Sequence, residues 1–184
     1  MRVLAPILGV VSLAFAGAAL AQAPPPTPRA PVDAWGGWRF LVGDWVGEGS
    51  GGPGEGSGFF SFRLELDGKV LVRRNHSEYP AIPGRPATVH DDLMVIYPDE
   101  RRGGFAAIYF DNEGHVIRYV AELATDGTRI AFLSEAAPAT PGFRLIYSKL
   151  PSDAVGITFE IAPPGGPGVF KTYLSGRALR KAGT

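Results

Sequence analysis

Period-2 alternation of apolar and polar side chains dominates the chain beyond residue 40. The clearest run sets Phe60, Phe62, Leu64 and Leu66 against Ser61, Arg63 and Glu65, the pattern of a strand with one buried and one wet face. Asp67-Gly68 follows, a pair that takes positive φ readily, and predicts a two-residue hairpin turn into a third strand over residues 69–79. A first strand over residues 41–49 places Leu41, Gly43, Trp45 and Gly47 on one face, and a glycine-rich loop over 49–58 joins it to the second. Further strands are predicted at about residues 92–97, 105–111, 115–123, 128–134, 143–150, 155–162 and 169–176, with a tight hairpin at Asp126-Gly127. Pro80, Pro83, Gly84 and Pro86 make residues 80–90 a rigid loop. Helical periodicity is missing after Trp38, and before it Asp33 is placed to cap one short helical turn carrying Trp35 and Trp38. The fold class is therefore all-β: an antiparallel up-and-down β-barrel of about ten strands, with a two-sheet sandwich as the structural alternative.

Successive connections in such a barrel alternate between its two ends. One end collects Asp67-Gly68, residues 98–103, Asp126-Gly127 and residues 150–153, which are mostly tight turns. The other collects residues 49–58, 80–90, 111–114, 135–141 and 163–168. The second set holds most of the long loops and is the expected mouth.

The N-terminal stretch narrows the setting. Arg2, an apolar run from Val3 to Leu20 and the sequence Ala19-Leu20-Ala21 read as a secretory signal peptide over residues 1–21, cleaved after Ala21. Residues 22–32 form a Pro-rich linker too poor in apolar side chains to pack, and residues 33–181 are the barrel domain. The expected product is periplasmic or secreted, with no membrane span in its mature form. The formal net charge is zero and there is no cysteine. This excludes a basic nucleic-acid footprint, disulfides, thiol catalysis and cysteine-based zinc sites.

Gly43-Asp44-Trp45 resembles the Gly-x-Trp signature of lipocalins and related calycin barrels, in which the tryptophan packs at the closed end against an arginine from the end of the last strand. The resemblance implies structural roles for Gly43 and Trp45, with Arg177 as the matching arginine. The wider run Leu41 to Gly49 is also similar to the opening strand of nitrobindin-type haem barrels. Those ligate iron through a late histidine, and no histidine follows His115 here, so no haem and no other cofactor is expected. Taken whole, the chain looks like exported bacterial calycin-like proteins of uncharacterised function.

Candidate chemistry gathers toward the mouth. Arg73 and Arg74 are consecutive in a strand, so one of them enters the barrel. That guanidinium needs a carboxylate such as Glu78, Asp92 or Asp111, or else an anionic ligand group, as in the fatty-acid-binding barrels it resembles. His76, His90 and His115 lie near the same end with Asn75, Asp91, Asp92 and Asp111. Such a set can bind a ligand or move protons, although its spacing matches no metal motif. Tyr97, Tyr109, Tyr119, Tyr147 and Tyr173 sit on strands and offer phenols to a lumen. Gly47-x-Gly49-x-x-Gly52 matches a dinucleotide fingerprint by letters alone, because Pro53 and Gly54 prevent the helix it requires.

The expected ligand-binding residues are Arg73, Asn75, His76, His90, Asp91, Tyr109, Asp111, His115 and Tyr119. The expected function is binding of a small, partly apolar ligand in the lumen, with an arginine available to an anionic group. Two other readings stay open: an isomerase- or lyase-type enzyme using the same cavity, and a scaffold presenting its loops to a protein partner. Oligomeric state is left open.

Overall fold

A computed structural model describes residues 33–48, 56–135, 139–166 and 168–182. The signal and linker segments, and most of the glycine-rich loop after the first strand, lie outside the described residues.

Ten antiparallel strands close into one barrel. They are β1 (Gly43–Glu48), β2 (Ser57–Glu65), β3 (Val70–Tyr79), β4 (Thr88–Asp99), β5 (Gly104–Asp111), β6 (Val116–Leu123), β7 (Arg129–Ser134), β8 (Gly142–Leu150), β9 (Ala154–Ala162) and β10 (Lys171–Arg180). Each strand pairs with its sequence neighbours, and β1 pairs with β10 to complete the ring. Closure leaves no open edge for pairing with another chain. The alternation read from the sequence becomes the inside and outside of the wall at Phe60 and Phe62, but not at Leu64 and Leu66, which approach the turn and are exposed. Phe60 and Phe62 are buried, while Phe59, of the opposite phase, is 59% exposed.

The inner face holds a continuous aromatic core. Trp45 stacks near Phe60, Phe60 and Phe62 meet Tyr147, and Phe132 bridges Tyr147, Tyr119 and Trp38. A 3-10 turn, Gly36–Trp38, covers the base as anticipated. The Asp33 side chain accepts the Trp35 backbone N–H at 3.1 Å, and the Trp35 indole donates to the Gly68 carbonyl at 2.7 Å. Trp38, fully buried, packs on Phe105.

Three features differ from the sequence reading, the first being that β4 begins at Thr88, inside the expected loop over residues 80–90. The β2–β3 turn spans Leu66 to Lys69, with Leu66, Asp67 and Gly68 all at positive φ, so it is longer than a two-residue hairpin. The last strand runs to Arg180, well past the expected end at residue 176. Its pairing with β9 shifts register between Thr172 and Leu174, and it continues along β1 until Trp45 faces Arg180.

That extension corrects the closing contact. Arg180, not Arg177, lies over the Trp45 ring, 4.3 Å from the centroid. The Arg180 guanidinium also donates to the carbonyls of Val42 at 2.6 Å and Phe40 at 3.0 Å, and pairs with Asp153 at 2.7 Å. Arg177 falls on the opposite phase of β10 and pairs with Glu48 at 3.1 Å, both groups being well exposed. Gly43 is required on two counts: its φ is +136°, and a Cβ there would collide with Arg180 Nη1. The Trp45 indole N–H donates to the Leu41 carbonyl at 2.7 Å, so both ends of the ring are anchored.

Candidate functional site

Alternation along β3 sends Leu71, Arg73 and Asn75 inward and Arg74 and His76 outward. Arg73 forms an ion pair with Asp92, which lies diagonally across on β4, and the two side chains are 8% and 3% exposed. Burial is the largest influence and opposes the charge on Arg73, but the Asp92 carboxylate together with Tyr147 and Tyr109 outweighs it and raises the guanidinium pKa above its ordinary value. The structure thus assigns Arg73 the internal-carboxylate partner that was the alternative to a waiting anion site.

From this pair a polar chain climbs to the rim. His90 Nε2 lies 3.5 Å from Asp92 Oδ2 and 3.0 Å from the Tyr109 hydroxyl, and His90 Nδ1 lies 3.0 Å from Glu113. The Tyr109 hydroxyl donates to Asp111 at 3.3 Å, and His115 reaches the same carboxylate through both its backbone N–H and Nδ1, at 2.9 Å and 2.8 Å. Asp92 raises the His90 pKa to about 9, burial opposing and Glu113 assisting. Burial, reinforced by Asp92 and Asp111, pushes the Tyr109 phenol up, so it serves as a neutral donor. Burial would raise Asp111, but the His115 contacts hold it below the usual carboxylate range.

The His90 shift has a stability consequence. A histidine raised from 6.5 to about 9 on folding contributes stability that is fully present below pH 6.5 and is lost as pH rises through about 9. Because the side chain is partly solvated, the contribution is about 1–2 kcal/mol. Urea unfolding of wild type should show that decline between pH 6.5 and 9, and His90→Asn should flatten it. An equal decline in the variant would assign it to other groups.

The facing wall is apolar. On β8 and β9 the inward series is Phe143, Leu145 and Tyr147, paired with Ile161, Phe159 and Ile157, and Leu174 of β10 lies opposite Phe159. Phe143 and Phe159 stack with ring centroids 5.9 Å apart. Phe143, Ile157 and Phe159 point inward yet are only partly buried, as are Asn75, Ser77, His90, Tyr109 and Ile117 on or beside the polar wall. Inward-facing side chains thus still meet solvent toward the long-loop end. One wall is polar and the other apolar, with a floor of Arg73, Asp92, Tyr119 and Tyr147.

Of the residues anticipated from sequence, Arg73, Asn75, His90, Tyr109, Asp111 and Tyr119 share this interior, and His115 joins them at the rim. His76 and Asp91 do not. Both face outward, where His76 sits between Asp91 at 2.6 Å and Glu78 at 3.0 Å and packs on exposed Phe59. The expectation that they share the interior with His90 is corrected by parity, since a strand neighbour of an inward residue points away. Asn75 donates to Ser77 at 3.2 Å within the interior. Asp92 was only one of three candidate partners, although its phase with buried Met94 and Ile96 marks it as inward. Glu113 carried no sequence signal, because its role depends on a turn bringing it over His90.

Among the described residues, no group of three or more His, Asp or Glu is disposed to hold a metal ion, and no helix is long and apolar enough to cross a membrane. The site belongs to a closed ten-strand antiparallel barrel consistent with a calycin-like fold. Compared with known proteins, the chain matches no family model and no curated protein.

Proposed function

We propose that this is an exported, lipocalin-like barrel whose cup holds a small, partly apolar ligand entering from the long-loop end, with residues 1–21 removed as a signal peptide. The observation that carries this reading is the half-exposed, inward-facing lining, divided into a polar wall on β3–β5 and an apolar wall on β8–β10. A barrel built only for rigidity has no need of solvent-exposed inward phenylalanines. Binding is favoured over acid–base turnover because both nitrogens of His90 are engaged, leaving neither ready to take a substrate proton.

Nile red, a neutral dye, is the test. Wild type should give a saturable fluorescence increase. Phe159→Asp, on the apolar wall, should weaken it by about tenfold, equivalent to about 1.4 kcal/mol of lost apolar contact. Phe59→Asp, on the outer wall, should leave it unchanged. Non-saturable signal, or equal effects of the two variants, would defeat the reading.

A further inference from the structure

Two hydrogen-bond donors in the floor lack partners. Tyr147 is fully buried and Arg73 is 7% exposed. The Tyr147 hydroxyl lies beside the guanidinium, yet neither it nor Arg73 Nε has a hydrogen bond of proper geometry among the described residues. Buried donors left unmade are costly and uncommon, so the pair is suited to an incoming acceptor. Both atoms are covered, and Tyr109, near Arg73, is only partly buried.

The charges around these donors are already matched. Arg73 is paired with Asp92, His90 lies between Asp92 and Glu113, and Asp111 is held by His115. A ligand carboxylate arriving here would find no free cation and would face Asp92, Asp111 and Glu113 at close quarters. Its desolvation would go uncompensated. An uncharged oxygen meets the same two donors without that cost.

We propose that the ligand is an uncharged molecule with an apolar body and a carbonyl-type oxygen, the oxygen accepting from Arg73 Nε–H and Tyr147 O–H while the body lies against Phe143, Ile157 and Phe159. This rests on the cup being a binding site and names the class of molecule it takes. It replaces the anionic group expected from sequence, because the Arg73 charge is already engaged.

The test uses two probes of one skeleton, 4-phenylbutan-2-one and 3-phenylpropanoate, in which a methyl group replaces a carboxylate oxygen. Calorimetric titration of the full chain at neutral pH should find the ketone bound at least about tenfold tighter. Tyr147→Phe, which removes only the hydroxyl, should weaken the ketone by about tenfold. Asp92→Asn frees the Arg73 charge and should reverse the order in favour of the carboxylate. If that variant folds poorly, the wild-type ratio and Tyr147→Phe still decide. Equal or tighter binding of the carboxylate by wild type, or a ketone affinity untouched by Tyr147→Phe, overturns the inference while saturable Nile red binding keeps the cup. Loss of saturable binding for all three molecules overturns both.

Discussion

Asp92→Ala is expected to lower stability by about 3–5 kcal/mol, because it leaves the Arg73 guanidinium buried without its carboxylate. The cost lies in the stranded charge and not in the value of the pair itself. Joint replacement with Arg73→Met and Asp92→Leu should therefore recover most of the loss, since apolar side chains in place of both ions remove the desolvation penalty along with the attraction. Urea unfolding of the two variants beside wild type checks this. If the double variant were as unstable as Asp92→Ala, the pair would be contributing more than its own neutralisation. The same pair explains the polarity of the floor. The inward neighbours of the pair toward the base, Leu71 on β3 and Met94 and Ile96 on β4, are buried without any ion.

Trp45→Ala should cost a similar amount, about 3–5 kcal/mol, for a different reason. The ring is 1% exposed, stacks near Phe60, accepts the Arg180 guanidinium on its face and donates to the Leu41 carbonyl. Its loss opens a void at the closed end. A double-mutant cycle with Arg180→Ala should return about 0.5–2 kcal/mol of coupling, the range of a cation–π contact. The same cycle with Arg177→Ala should return none, since Arg177 pairs with Glu48 on the outer face. The fraction of Trp45→Ala that remains folded should bind Nile red as wild type does. Retained stability with lost binding would mean that the orientation of the barrel is reversed.

Much of this was legible in the chain, and the failures have physical causes. Strict alternation around Phe60 and Phe62 gave the wall its two faces, and the turn residues gave the strand number and order. Gly43 and Trp45 marked the closed end through their resemblance to the Gly-x-Trp signature, and the structure supplies the physical reason in the positive φ of Gly43 and the burial of the indole. The closing arginine was misplaced because Gly176 reads as a strand end, whereas the structure carries β10 through it to pair with β1. No local signal announces pairing between the first and last strands. His76 and Asp91 were grouped with His90 by their position along the barrel, but parity divides them. Composition shows which residues reach the mouth, and only phase shows which enter it. The Glu113 contact to His90 depends on how the β5–β6 turn folds back, which no periodicity encodes.

The claim at the centre of this account is that the cup is a binding site whose floor presents Arg73 and Tyr147 to an uncharged oxygen. The most direct measurement follows the Arg73 Nε–Hε resonance by NMR during titration with 4-phenylbutan-2-one. A saturable shift of that resonance is expected, with Trp45 at the closed end unmoved. Saturable binding that leaves Arg73 Nε–Hε in place, or that perturbs Trp45 instead, would contradict it.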